Sequence, residues 1–211
     1  MNMVKKENKN FINLIIIGFV LLVLVGAVNA YLLSSLSNNL GGSSSFTGSY
    51  NKDISKIDLS SIQSTGQSVA LLFPVNKIKT EQDAIDMLIA QGNPEYGDAL
   101  GITFDDPVGG ENQLAALYPS IKAEVKQDPA LWQRYLSLAT KPVGISCEFC
   151  CGIGPVGIDN SGELRCGCAH NPAVHGLTLW LMKNSQYSDA EILREVLKWK
   201  TLWFPKDMVT L

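Results

Sequence analysis

The longest apolar stretch of the chain lies close to its N-terminus. Residues 11–33 contain no charged side chain, and only Gly18 interrupts the apolar run over residues 14–25. At about 1.5 Å per helical residue, this segment reaches about 35 Å, enough to cross a hydrocarbon core of about 30 Å. The pattern therefore predicts one N-terminal transmembrane helix over residues 11–33.

The charges beside this segment predict its orientation. Lys5, Lys6 and Lys9 precede it, and the next charged residue after it is Lys52. Lysines beside a membrane span stay on the cytoplasmic side. We therefore predict a cytoplasmic tail over residues 1–10 and a single-pass protein of the cell membrane whose C-terminal domain is extracytoplasmic.

A cleaved signal peptide is the alternative interpretation of this segment. Val28-Asn29-Ala30 has small residues at the spacing that signal peptidase accepts. The apolar run is longer than a typical signal core, however, and residues 31–33 extend it beyond that position. We therefore favour an uncleaved anchor, and both interpretations export the domain.

Helical periodicity dominates the exported part of the chain. Residues 34–52 are rich in Ser, Gly and Asn and predict a flexible linker to a domain over residues 53–211. Capping-box spacing at Thr80 and at Ser188, and Asp128 before a proline, predict helix starts. Apolar positions indicate further short helices at residues 113–117, at residues 121–125 and after Asn171.

The pattern changes between the first and last cysteine. Residues 155–158 and 163–165 flank the turn sequence Asp159-Asn160-Ser161-Gly162, which predicts a small β-hairpin. The predicted fold is therefore mainly α, with a small β-hairpin carrying a Cys/His cluster and one N-terminal transmembrane helix.

Composition and charge narrow the class of partner. Hydrophobic residues make up 46% of the chain and charged residues 18%, with a net charge of −3. Subtracting the net +2 of residues 1–10 leaves about −5 on the remainder. Because nucleic-acid binding needs a basic surface, we expect a membrane partner and no nucleic acid.

All the soft metal ligands of the chain occupy one short segment. The five cysteines and both histidines fall within 29 consecutive residues, in the pattern C-x2-C-C-x14-C-x-C-x-H-x4-H. The seven residues are Cys147, Cys150, Cys151, Cys166, Cys168, His170 and His175. Two cysteine pairs separated by a turn are the usual way to build a tetrahedral four-sulfur site.

The spacing predicts which residues bind. Cys147 and Cys150 form one pair and Cys166 and Cys168 the other, with Gly167 allowing the bend of a short chelate. Cys151, His170 and His175 are extra or exchangeable ligands. We expect copper, zinc or an iron–sulfur centre of the [2Fe–2S] type, because thiolates select soft metals. The expected role is metal delivery or electron transfer to a membrane protein such as an oxidase or metal transporter.

The cysteine pattern is also compatible with two other functions. Exported cysteines often form disulfides, so the cluster is also typical of a disulfide- or zinc-stapled structural or interaction domain. Cys147 and Cys150 are also spaced like a thiol–disulfide oxidoreductase pair, although no βαβ pattern surrounds them. No hydrolase or nucleotide-binding motif is present, and we assign no catalytic residue.

From Pro107 onward, about half of the chain, the sequence resembles a family of uncharacterised membrane-anchored archaeal proteins. The resemblance rests on C-E-F-C-C-G at residues 147–152 and C-G-C-A-H-N at residues 166–171. It continues in S-D-A-E-I-L at residues 188–193, then Trp199 and Phe204-Pro205. It implies a shared cysteine pattern and a membrane anchor, and it implies no particular activity.

Overall fold

The structure is a computed structural model and describes residues 53–211. Nine α-helices account for most of this part of the chain, with two single-turn 3-10 helices at Ile54–Lys56 and Val75–Lys77. The α-helices are α1 (Thr65–Leu72), α2 (Glu81–Leu88), α3 (Gly97–Leu100), α4 (Pro107–Val125), α5 (Pro129–Ala139), α6 (Glu148–Cys151), α7 (His170–Asn184), α8 (Asp189–Trp203) and α9 (Pro205–Val209).

The predicted anchor over residues 11–33 lies outside the described residues, as do the tail at residues 1–10 and the linker at residues 34–52. Between residues 53 and 211, no helix combines the length and the apolar composition needed to cross a bilayer.

The helix starts predicted from capping residues are confirmed. Thr80 and Asp83 form a reciprocal capping box at α2, and Ser188 and Glu191 form a second one at α8. The Asp128 carboxylate accepts hydrogen bonds from two backbone N–H groups of the first turn of α5, with proline at the first helical position. Each arrangement satisfies N–H groups that a helix end would otherwise leave unpaired.

The two short helices predicted at residues 113–117 and 121–125 are one continuous helix, α4. It begins earlier than the pattern indicates, because Asp106 accepts from the Gly109 N–H and Pro107 occupies the first turn. Pro119 lies inside the helix and does not end it. Because α4 begins at Pro107, Glu111 is part of this helix.

The predicted β-hairpin is wrong. The described residues contain no strand, and residues 155–165 make only two isolated bridges, Ile145 with Val156 and Ile158 with Leu164. The turn itself is present, but the Asp159 carboxylate accepts from the Ser161 and Glu163 N–H groups at 2.8 and 3.0 Å. Beyond the turn, the two arms are paired only by the Asp159 N–H with the Glu163 carbonyl and the Arg165 N–H with the Gly157 carbonyl, both at 2.9 Å, which is too short a pairing to form strands.

The core lies between α4, α7 and α8. α4 packs most extensively against α7 and also contacts α8. A Cβ added at Gly176 would collide with the backbone oxygen of Leu114, and one added at Gly110 would collide with the Trp199 ring. Glycine at these two positions therefore lets α4 approach both helices closely. The same three helices carry Glu111, His170 and Lys200, which surround the cysteines.

Candidate metal centre

Two segments deliver the five cysteines to one place. Cys147 caps the N-terminus of α6, whose last two residues are Cys150 and Cys151. The second segment, with Cys166 and Cys168, runs directly into α7. Gly152 and Gly154 have φ of 66° and 76°, a conformation that favours glycine, and they turn the chain back after α6.

Four sulfur atoms form a compact group, which we call the inner group. It consists of Cys147, Cys151, Cys166 and Cys168, whose Sγ atoms all lie within 4.8 Å of one another. In a tetrahedral site with metal–sulfur bonds of about 2.3 Å, sulfur atoms are separated by about 3.8 Å. The inner group therefore has the donor set of a four-sulfur metal site, and none of its sulfurs is too far from the others to share one ion.

Cys150 does not belong to the inner group. In the structure, Cys151 lies with Cys147 and the second cysteine pair. The sequence analysis predicted Cys150 in this position and Cys151 as an extra ligand. Positions three and four residues after a helix start lie on the same side of the helix, so spacing alone cannot choose between them. Cys150 and Cys151 are both solvent-exposed, while Cys147 is fully buried.

Cys150 belongs instead to a second set of ligands, which we call the outer group. The outer group is Cys150, Cys168 and His170, and its ligand atoms also lie within 4.8 Å of one another. His170 is the first residue of α7, two residues after Cys168. Cys168 is therefore common to the inner and outer groups.

His175 lies apart from the cysteines. It is fully buried in α7, belongs to neither group, and its Nδ1 lies 3.0 Å from the Tyr135 hydroxyl. Its ring packs against the rings of Tyr118 and Tyr135. Burial lowers the pKa of His175 to about 3, helped by the positive charge of Lys122. In this structure His175 is a neutral core residue, so the predicted ligand role receives no geometric support.

One pair within the inner group also stands at disulfide distance. The Sγ atoms of Cys151 and Cys166 are close enough to be bonded, while Cys147, Cys150 and Cys168 are free. The Cα atoms of the pair are 6.9 Å apart, just beyond the usual range of about 4.4–6.8 Å for disulfides. A disulfide and a four-sulfur metal site need the same two sulfurs, so the geometry is compatible with either of them and not with both at once.

The environment of Cys147 and Cys150 favours the protonated thiol over the thiolate. Burial, together with the hydrogen bond to Cys168, raises the pKa of Cys147 to about 12. Partial desolvation and the nearby Cys168 also raise the pKa of Cys150, although its side chain is exposed. A thiol–disulfide oxidoreductase needs a thiolate at neutral pH, which this environment opposes. A metal ion would displace these protons by binding the sulfurs directly.

A buried ion pair holds α6 in place. Lys200 of α8 is 0% exposed, and its Nζ lies 3.3 Å from Glu148 Oε2 and donates to the Gly144 carbonyl at 3.0 Å. Glu148 Oε2 also accepts from the Thr65 hydroxyl at 2.8 Å. Burial lowers the pKa of Lys200 to about 8, against the opposing effect of Glu148. Since Glu148 sits between Cys147 and Cys150, this pair orients the cysteine-bearing turn on α8.

Sequence reasoning missed Glu148, Lys200 and Glu111. A signal for Lys200 was present, because it continues the buried stripe of Ile192 and Val196 at intervals of four residues. A lysine on an apolar stripe indicates a buried partner of opposite charge. Nothing in the local sequence marks Glu111, since its role depends on the packing of α4 against α7.

No family model matches this chain, and neither a curated protein nor a solved structure matches it significantly. The resemblance to the archaeal family therefore stays a prediction.

Replacing Lys200 should test the anchoring role of the ion pair. Lys200→Met leaves the Glu148 carboxylate buried without its partner, so we expect the free energy of unfolding to fall by about 3–5 kcal/mol. Urea unfolding of the metal-free, reduced chain, followed by circular dichroism, measures this. Lys183→Met is the matched control, because Lys183 pairs with Glu124 at the surface and should cost less than about 1 kcal/mol. Equal losses in the two variants would contradict the role.

His175 should make stability depend on pH. Its folded pKa of about 3 lies below the unfolded value of about 6.5. The unfolded chain therefore takes up a proton first as the pH falls, and the free energy of unfolding should decrease below about pH 6.5 by up to about 1.4 kcal/mol per pH unit. Unfolding measured between about pH 7 and pH 5 checks this, because exposed carboxylates titrate at lower pH.

The variant His175→Asn should lose this slope, because it keeps a polar side chain and removes the titrating group. His170→Gln, which leaves His175 in place, should retain it. The same slope in wild type and His175→Asn would show that another group is responsible.

Proposed function

We propose that this protein is a membrane-anchored, extracytoplasmic metal-binding protein whose inner group holds one soft metal ion. The observation that carries the proposal is the convergence of four cysteine sulfurs, from two separate segments, within 4.8 Å of one another. Thiolate donors favour zinc, copper(I) and iron over magnesium or calcium. The anchor and the export of the domain are supported by the sequence of residues 1–33.

The spacing of the inner group favours a single ion over a [2Fe–2S] cluster. In such a cluster, two irons and two sulfides lie between the two pairs of cysteines and separate those pairs. Sulfurs that are all within 4.8 Å of one another leave little room for this, whereas one tetrahedral ion fits. Zinc and copper(I) are therefore the ions that this arrangement supports best.

Metal delivery to a membrane protein is the role that we propose for this site. A closed structural site would bury all its ligands, whereas Cys151 of the inner group is exposed and Cys168 is half-buried. An exposed thiol beside the bound ion gives a partner protein a route to the metal by ligand exchange. A metal transporter or an oxidase is the proposed kind of partner, because a membrane anchor would hold the domain beside it.

A disulfide-stapled interaction domain is the second candidate function. The observation that favours it is the bonding distance between the sulfurs of Cys151 and Cys166. Such a bridge would tie α6 to the segment before α7 and would remove two ligands from the inner group.

Metal affinity of two neighbouring cysteine variants tests the proposal. The full-length chain, purified in detergent and reduced under anaerobic conditions, should bind zinc or copper(I) in competition with a chromophoric chelator. Cys151→Ser removes an inner ligand, so the affinity for the first equivalent of metal should fall more than about 100-fold. Removing only the hydrogen-bond partner of a ligand costs about 10–100-fold, and losing the ligand itself should cost more. Cys150→Ser, one residue away, should leave that affinity within a few-fold.

A thiol count separates the two candidate functions. Protein isolated anaerobically without added metal should contain bound metal and five thiols that react with an alkylating reagent after denaturation. Metal-free protein in which Cys151 and Cys166 are linked would overturn the metal site and favour the stapled domain.

A further inference from the structure

We propose that the site holds two metal ions and that the Cys168 thiolate bridges them. The inner ion is the one already proposed, and this inference rests on that proposed function. The outer ion would be bound by the outer group, with Glu111 beside it. The outer ion is then the exchangeable one, and the inner ion organises the site.

The first support is that the two groups meet at one atom. Cys168 Sγ lies within 4.8 Å of the three other inner sulfurs and also within 4.8 Å of Cys150 Sγ and a ring nitrogen of His170. A thiolate sulfur has more than one lone pair and can bind two ions at once. The two-ion arrangement uses every cysteine of the chain, whereas a single four-sulfur ion leaves Cys150 and His170 without a role.

The second support is the environment of the His170 ring. Its Nε2 lies 3.4 Å from Glu111 Oε1, while its Nδ1 is buried and makes no hydrogen bond to any residue in the described range. Metal-bound histidines usually direct their other ring nitrogen at a carboxylate, which fixes the tautomer and the ring orientation. With Nε2 beside the Glu111 carboxylate, Nδ1 is the ring nitrogen left as the lone-pair donor for a metal.

The ring is also held in one orientation by its neighbours. Its centroid lies 4.7 Å from that of Phe204 and 5.8 Å from that of Trp203. These aromatic contacts restrict rotation of the ring at the start of α7. A ligand that is fixed before the metal arrives loses little conformational entropy on binding.

The third support is the charge at the site. Four thiolates around one divalent ion carry a net charge of −2, and Cys150 and Glu111 lie on the outer side of that centre. The Glu111 side chain is only 16% exposed, so solvent offsets its charge incompletely. A second cation would neutralise the Cys150 thiolate and the Glu111 carboxylate together.

Only the inner ion has a fully buried ligand. Cys147 of the inner group is fully buried, although Cys151 of that group is exposed, whereas no ligand of the outer group is fully buried. The outer ion is therefore reachable from solvent or by a partner's ligands. The inner ion can stay in place while the outer one leaves.

Cobalt(II) titration of the full-length, reduced chain in detergent tests the bridge. Visible absorption should show two equivalents bound in sequence. The magnetic moment per cobalt should fall as the second equivalent binds, because a bridging thiolate couples the two ions antiferromagnetically. Cys150→Ser and His170→Gln should each bind one equivalent with an unchanged magnetic moment.

A matched pair of carboxylate variants tests Glu111. Glu111→Gln should weaken zinc binding at the second equivalent by about 10–100-fold and leave the first unchanged. Glu163→Gln, which alters an exposed carboxylate paired with Lys122 and Lys126, should change neither.

The outcomes separate this inference from the proposed function. Two coupled equivalents in the wild type and one in Cys150→Ser support the bridged pair. One equivalent in the wild type, or two without magnetic coupling, overturns the bridge and leaves the proposed single-ion function standing. No bound cobalt or zinc in the fully reduced protein overturns both.

Discussion

The placement of the cysteine turn depends on one buried ion pair. Lys200 and Glu148 meet at 3.3 Å beneath α6, and Glu148 also accepts a hydrogen bond from Thr65 of α1. Such a pair adds little net stability, because taking two charges out of water costs about as much as their attraction returns. It does select one arrangement, since any other position of α6 leaves a buried charge without a partner. The pair therefore fixes where Cys147, Cys150 and Cys151 lie.

The packing of α4 against α7 positions the other residues of the site, Glu111 and His170. Close approach of α4 to α7 at Gly176 places Glu111 beside His170, the first residue of α7. The inner sulfurs therefore lie between the cysteine-bearing turn, which the Lys200–Glu148 ion pair positions, and the start of α7, which helix packing positions. Cys147 is consequently buried, while Cys150 and Cys151 at the end of the same turn are exposed.

Sequence reasoning located the cluster because seven soft ligands in 29 residues are a local signal. Helix starts at Thr80, Asp128 and Ser188 were predictable for the same reason, since caps act within three residues. The division between inner and outer ligands was not predictable, because it depends on how α6 rotates against α8. The hairpin prediction failed because the two arms pair through only two backbone hydrogen bonds, from Asp159 and Arg165, and hydrophobic pattern does not determine how far such pairing extends.

The central claim is that four cysteine thiolates surround one metal ion. X-ray absorption at the zinc edge, on full-length reduced protein loaded with one equivalent of zinc, measures the ligand shell directly. We expect four sulfur neighbours at about 2.3 Å and no nitrogen or oxygen neighbour. A shell of mixed sulfur and nitrogen or oxygen ligands would contradict the inner group as the primary site.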